Sequence, residues 1–136
     1  MPQKIPTASA RRIQDAMVAA TPWPTAKMHL FQNNHIPANG DTVADYTEAN
    51  YDGYAAQTLG APGAAATVGG RSTITWPALT FTKAAGVTTN LIYGYYITNA
   101  AGDLLAAELD PNGPVPFLVA GATYVVTYVN TYVSEF

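Results

Sequence analysis

Four carboxylates and two histidines fall within one short stretch of the chain, and these residue types could bind a cation or move protons. The acids are Asp41, Asp45, Glu48 and Asp52, and the histidines are His29 and His35. Hard cations prefer several oxygen ligands, which makes the acidic group the best candidate for a cation site. Its spacing does not match the EF-hand loop, however, and a solvated acidic face explains the same residues. We therefore expect no bound metal.

The two histidines are six residues apart around a turn, and this spacing presents no ligand pair together with a carboxylate. Each is interpreted as a surface or packing residue. Serine and threonine are plentiful, but the chain has no G-x-S-x-G motif and no visible orienting partner for a histidine base. A carboxylate pair for glycoside hydrolysis stays open, since any two acids can meet in a fold. The residues predict a protein that is not an enzyme and binds no cofactor.

Composition narrows the classes of partner. The 136 residues include six Lys and Arg against nine Asp and Glu, a net charge of -3, which argues against nucleic acid because phosphate binding needs a clustered basic surface. Only 11% of residues are charged, and this scarcity predicts that other subunits cover part of the surface, in a homo-oligomer or a larger assembly. With no long apolar run and no signal peptide, we expect a protein made in the cytoplasm with no membrane partner.

The strongest structural signal is the segment 90–99, a β-branched and aromatic run bounded by turn residues. Side chains alternate along a strand, so Leu91, Tyr93, Tyr95 and Ile97 are predicted to share one face. Both faces are largely apolar, which places this strand centrally in a sheet. It forms a predicted hairpin with residues 104–109, through a turn in which Gly102 adopts positive φ.

The first 24 residues differ from the rest. They are predicted to form an N-terminal arm, with a helix over about residues 9–20 followed by a proline-rich linker around Trp23. Such a short helix needs a surface to lie on, and both its own sheet and a neighbouring subunit stay open. Residues 25–136 are predicted to form a single β-domain.

Shorter segments fill the first half of this domain. Residues 25–32 are a predicted strand, and Asp41 or Thr42 is the predicted cap of a short helical turn that runs through Glu48. Residues 71–81 form a strand that Pro77 interrupts, which indicates a bulge or a sheet edge there.

The C-terminal strand is predicted over residues 122–133, long for a small domain. Tyr124, Val126 and Tyr128 share one face with the other even-numbered residues, and the odd-numbered residues share the other. We expect the end of this strand to pair outside the domain. The whole pattern predicts an all-β fold, a small antiparallel β-sandwich or open barrel.

Tyrosine is the unusual residue of the chain, with nine copies. Six of them fall on the two predicted strands 90–99 and 122–133, where the rings either pack within the sheet or form a contact surface for protein or carbohydrate. Both interpretations stay open. The candidate interface residues are, in the arm, Ile13, Met17 and Trp23 and, near the C-terminus, Tyr128, Tyr132 and Phe136.

Three segments carry a recognisable pattern. They are MHLFQNN at residues 28–34, TVADYTEANYDGY at residues 42–54 and IYGYYITNAAG at residues 92–102. The first two resemble the "LF.N…T.ADFTEA.F.GY" pattern of small virion-associated proteins of tailed bacteriophages, and the third resembles their later "I.GYYVTDA.G" hairpin. The resemblance covers residues 28 to about 109 and leaves the arm and the last strand outside it.

The resemblance implies a component of the virion, and it brings no catalytic residues. We expect a capsid decoration or cement protein that binds across subunits of the major capsid protein. Two alternatives remain: a tail- or fibre-associated protein, including a receptor-binding module, and a small carbohydrate-binding domain or enzyme. The last alternative predicts a concave pocket with convergent polar groups.

Overall fold

The computed structural model describes residues 25–69 and 71–133, and in that range the chain is almost entirely β-structure. The strands, in chain order, are β1 (Lys27–Phe31), β2 (Gln57–Thr58), β3 (Ala66–Val68), β4 (Arg71–Thr75), β5 (Leu79–Thr82), β6 (Asn90–Ile92), β7 (Gly94–Thr98), β8 (Leu104–Leu109), β9 (Val115–Phe117), β10 (Thr123–Val126) and β11 (Val129–Val133). The predicted all-β class is confirmed. No helix among these residues is long and apolar enough to cross a membrane. The predicted arm lies outside the described residues.

The first layer is a four-stranded antiparallel sheet in the order β2-β1-β7-β8. As predicted, β7 is central, and all five of its residues are buried. Both faces of the sheet are covered. One face packs into the main core, and the other carries a smaller aromatic cluster of Phe31, Tyr46 and Tyr96.

The segment 90–99 is not one continuous strand. The break comes at Tyr93, whose N–H donates to the carbonyl of Phe31 and whose carbonyl accepts from the N–H of Asp110. Before it, β6 pairs with β9, and after it, β7 pairs with β1 and β8. This change of partner inverts the predicted alternation, since Tyr93 lies with the aromatic cluster while Tyr95 packs in the main core.

The hairpin between β7 and β8 is confirmed. Its turn closes with the Asp103 N–H donating to the side-chain oxygen of Asn99 at 2.8 Å. Gly102 has a φ of +88°, the left-handed conformation that glycine adopts without steric cost.

The second layer is a ribbon in which β4 and β5 run antiparallel to β11 and β10, with β3 on the outer side of β4. The predicted bulge at Pro77 is confirmed by the register. Three residues lie between Thr75 and Leu79, whereas two lie between their partners Val129 and Val126. The extra residue turns Trp76 and Phe81, which differ in parity, towards the same core.

The long C-terminal strand is corrected in two respects. The chain divides at residues 127–128 into β10 and β11, opposite the bulge in the partner strand. Both parts, including the end of the strand, pair within the domain, β10 with β5 and β11 with β4. The predicted alternation holds: Val126 and Tyr128 are buried, whereas Thr127 and Val129 are exposed.

The inner faces of the two layers form the main core, a sandwich-like arrangement. Tyr128 makes aromatic contacts both within the ribbon and across the core. Its ring centroid is 5.0 Å from that of Trp76 in the same layer and 6.3 Å from that of Tyr95 in the first sheet. Buried aliphatic side chains of both layers fill the space around these rings: Met28, Leu30, Ile74, Ile92 and Ile97.

The segment that connects β1 to β2 crosses back over the first sheet. The predicted helical turn is only a 3₁₀ turn, Val43–Asp45, with Thr42 as its N-cap. It cannot continue to Glu48, because the backbone there runs alongside β1: the Gln32 N–H donates to the Thr47 carbonyl and the Ala49 N–H to that of Leu30. This pairing brings Glu48 next to β1.

Candidate functional site

The acidic group of residues 41–52 does not converge on one point. Its members accept hydrogen bonds from different partners: Asp41 from His35 and Tyr46, Asp45 from Thr42, Glu48 from Tyr54, and Asp52 from Lys83 and Thr88. No cluster of three metal-ligating side chains occurs within the described ranges 25–69 and 71–133. These carboxylates therefore fasten separate parts of the connecting segment.

His29 lies at the centre of a hydrogen-bonded chain of three side chains. Its Nδ1 is 2.6 Å from Oε1 of Glu48, and its Nε2 is 2.9 Å from Oγ1 of Thr98. The imidazole also stacks on the ring of Tyr96, with centroids 4.7 Å apart and an interplanar angle of 5°. The stacking agrees with the predicted packing role of His29. The sequence showed no orienting partner for a histidine base, however, and this is wrong for His29, because Glu48 is such a partner.

The fold explains how residues so distant in sequence meet. His29 on β1 pairs directly with Tyr96 on β7, and Thr98 follows two residues later on the same face of the sheet. Glu48 comes from the segment beside β1. The Tyr54 hydroxyl holds its carboxylate by donating to Oε1 at 2.8 Å. Burial raises the pKa of Tyr54, and the bond to Glu48 raises it further.

This arrangement fixes where the protons lie when the imidazole is neutral. An ionised Glu48 only accepts, so Nδ1 of His29 carries the proton that it donates. Nε2 is then the acceptor and receives the hydroxyl proton of Thr98. A hydroxyl bonded to an imidazole that a carboxylate orients is the arrangement by which proteins activate an alcohol as a nucleophile.

A cleft of about 580 Å³ opens beside this chain of side chains. Its volume falls within the range of small-molecule pockets, about 300–1,000 Å³. Polar side chains make up much of its lining: Thr25, Lys27, His29, Thr58, Thr98 and Asn99. Lys27 pairs directly across from Thr98 in the strand register, which places a cation beside the hydroxyl.

His35 also contacts a carboxylate, and its ring lies edge-on to Tyr46, as expected of a packing residue. One oxygen of Asp41 accepts from the Tyr46 hydroxyl at 2.7 Å, contacts Nε2 of His35 at 2.8 Å and accepts from the Ala38 N–H at 2.9 Å. These bonds, that of Tyr46 above all, lower the pKa of Asp41 from 3.8 to about 2. These contacts hold different parts of the connecting segment together.

The tyrosines pack within the sheets. Tyr95 donates to Glu108 at 2.7 Å and Tyr124 to Asp110 at 2.9 Å, and burial raises the pKa of both phenols. Tyr128 is one of the predicted interface residues. It is only 8% exposed and lies in the core, so it is not available to a partner. The other candidate interface positions are outside the described part of the chain: Ile13, Met17, Trp23, Phe136 and the side chain of Tyr132.

The outward side of the ribbon forms a second candidate site, which we name the Thr/Val face. It consists of Thr73, Thr75, Thr80, Thr82, Thr123, Val125, Thr127, Val129 and Thr131. Val125 is 60% exposed and Val129 is 46% exposed. The one charged residue on the four strands is Arg71, at the end of β4.

The sequence alone predicted neither the hydrogen-bonded chain of Glu48, His29 and Thr98 nor the complete Thr/Val face, for different reasons. Thr98 and His29 are 69 residues apart, and no local signal links them. The Thr/Val face was visible as alternation along residues 122–133, but its other half depended on the bulge at Pro77. No family model, curated protein or solved structure matches this chain, so its function rests on the residues themselves.

Proposed function

We propose that the chain is a structural protein of a tailed-phage virion, a capsid decoration protein that binds across subunits of the major capsid protein. The Thr/Val face is the observation that carries the proposal. The resemblance of residues 28–109 to virion-associated proteins supplies the class of particle.

The Thr/Val face suits a protein partner for electrostatic reasons. The centres of protein interfaces are depleted of charge, since a buried unpaired charge is costly. Here the exposed side of the ribbon formed by β4, β5, β10 and β11 carries threonine and valine, with Arg71 at its margin. A partner can cover this surface without removing a charge from water.

The same residues reduce the entropic cost of association. Threonine and valine are branched at Cβ and have restricted χ1 angles, so they lose little rotamer freedom when a partner covers them. They also project from paired strands, which hold their backbone in place. A rigid, uncharged surface of this kind stabilises a capsid by adding buried interface between its subunits.

The test is cosedimentation of the purified protein with undecorated, expanded capsids from the phage that encodes it, with particle melting as a second measurement. We expect saturable binding and a raised particle melting temperature. Replacing both Val125 and Val129 with lysine places two charges on the Thr/Val face and should weaken binding at least tenfold, about 1.4 kcal/mol or more. Melting of the free variant checks its fold.

Val87→Lys is the matched control, since Val87 is 95% exposed and lies outside the Thr/Val face. It should bind as the wild type does. Equal binding by the double variant would remove the Thr/Val face from the proposal. Wild-type protein that binds tails or fibres and not heads would replace the capsid assignment with the tail- or fibre-associated alternative.

A further inference from the structure

We propose that Thr98 is an activated nucleophile, and that Thr98, His29, Glu48 and the adjoining cleft form a site that cleaves small carboxylic esters. The activity goes beyond the structural role proposed above and does not depend on it. The inference rests on the unbroken hydrogen-bonded chain of hydroxyl, imidazole and carboxylate, with contacts of 2.9 and 2.6 Å, at the wall of a ligand-sized cleft.

Three contacts hold His29, the proposed general base, in one orientation. Glu48 fixes Nδ1 of His29, the ring of Tyr96 stacks on the imidazole, and the Thr98 hydroxyl occupies Nε2. Glu48 is itself held by Tyr54, whose hydroxyl also accepts the Leu30 N–H at 3.1 Å. Groups held in this way lose little entropy on reaching the reactive geometry.

The surroundings of Thr98 favour attack on a carbonyl. The β7–β8 register shifts between Ile97 and Thr98, an irregularity of the kind that redirects side chains beside active sites. Lys27, directly across from Thr98, is exposed and takes part in none of the ion pairs found among the described residues. Lys27 lines the cleft together with Thr98, and in the proposed reaction its ammonium stabilises the negative charge that develops on a substrate oxygen.

The reaction balances with water as the only co-reactant. Oγ1 of Thr98 attacks the ester carbonyl while its proton passes to Nε2 of His29. The C–O bond to the alcohol then breaks, and the imidazolium returns that proton to the leaving alkoxide. Water, deprotonated by His29, hydrolyses the acyl-threonine to a carboxylic acid and restores the Thr98 hydroxyl.

The same contacts also hold β1, β7 and the connecting segment together. The experiment must separate this structural role from catalysis. The folded full-length protein is incubated with p-nitrophenyl acetate. Release of p-nitrophenol is followed, and peptide mass spectrometry maps the acetyl group. We expect acetylation at Thr98.

Four variants make the test specific. Thr98→Val keeps the branched shape and removes the hydroxyl, so acetylation at this position should disappear, whereas Thr98→Ser should retain it. His29→Asn should slow acetylation at Thr98 about 100-fold or more, the usual contribution of a general base. Thr127→Val, a change at an exposed threonine of the Thr/Val face that does not line the cleft, should have no effect.

Melting curves establish that each variant is folded, and a folded Thr98→Ser protein keeps the test valid if Thr98→Val fails to fold. Two results would overturn the proposal that Thr98 is a nucleophile: acetyl groups found only on lysine, or equal labelling of Thr98 in the wild type and in His29→Asn. The contacts would then have only a structural role. Either outcome leaves the capsid experiment unaffected, because the cleft and the Thr/Val face lie on opposite sides of the sandwich.

Discussion

Among single residues, the recurring polar contact is a tyrosine hydroxyl that donates to a carboxylate. The pairs are Tyr46 with Asp41, Tyr54 with Glu48, Tyr95 with Glu108, and Tyr124 with Asp110. The rings bury apolar area while the hydroxyls satisfy acids at the margins of the core. This accounts for much of the tyrosine content without a surface role for these rings.

The Asp41 cluster predicts a specific response to acid. Because the folded state lowers the pKa of Asp41 from 3.8 to about 2, its stabilising contribution is complete above the ordinary value and is lost as the pH falls through about 2. Urea unfolding should show wild type more stable than Asp41→Asn near neutral pH, with the difference shrinking towards pH 2. A difference that stays constant with pH would contradict this, and Asp103→Asn controls for the loss of one charge.

Asn90 is a buried hub, 5% exposed, and predicts a large mutational cost. Its side-chain oxygen accepts the backbone N–H groups of Asn50 and Tyr51 at 2.8 and 2.9 Å. Asn90→Ala leaves these donors without a partner, each at about 1–3 kcal/mol, so urea unfolding should show a total loss of about 3 kcal/mol. Asn39→Ala, at an exposed site, should change stability by less than about 0.5 kcal/mol.

Among the elements, β7 depends on a glycine at its first residue. A Cβ on Gly94 would clash with the carbonyl oxygen of Glu108 on β8 and lie 2.9 Å from the ring of Phe31. The carbonyl belongs to a paired strand and cannot withdraw without breaking the ladder. We therefore expect Gly94→Ala to lower the free energy of unfolding by about 2–3 kcal/mol.

Gly40→Ala is the matched control for this prediction. A Cβ at Gly40 meets nothing within 4 Å, and its φ is not in the left-handed region. Thermal unfolding should place this variant at or slightly above the wild-type melting temperature, since alanine restricts the unfolded chain. Equal melting temperatures for the two alanine variants would show that β8 moves to accommodate the added methyl group.

For the whole molecule, the domain boundary at residue 25 gives a further prediction. The main core is formed by described residues from Ala26 to Tyr128. Deleting residues 1–24 should therefore leave a cooperative urea transition with a nearly unchanged slope, because the apolar area exposed on unfolding stays similar. Loss of cooperativity would place the predicted helix of residues 9–20 in the core. Particle binding by the deleted protein tests the arm separately.

Much of the fold followed from local patterns. Gly102 and its neighbours identified the β7–β8 hairpin, and alternation along residues 122–133 identified which side chains point inward. The structure differed from the sequence-based prediction where a strand changed partner, at Tyr93 and opposite Pro77. Alternation depends on the backbone of a single strand, but it does not show which neighbour supplies the hydrogen bonds.

The sequence by itself determined the all-β class, the central position of β7, an interruption at Pro77 and the scarcity of charge, because strand propensity, turn residues and composition are local properties. Only the tertiary structure decided that Glu48, His29 and Thr98 form one chain of hydrogen bonds. The pairing of β1 with β7 and with the connecting segment brings these residues together. Contacts between residues that far apart depend on register, and register is set by the packing of the whole domain.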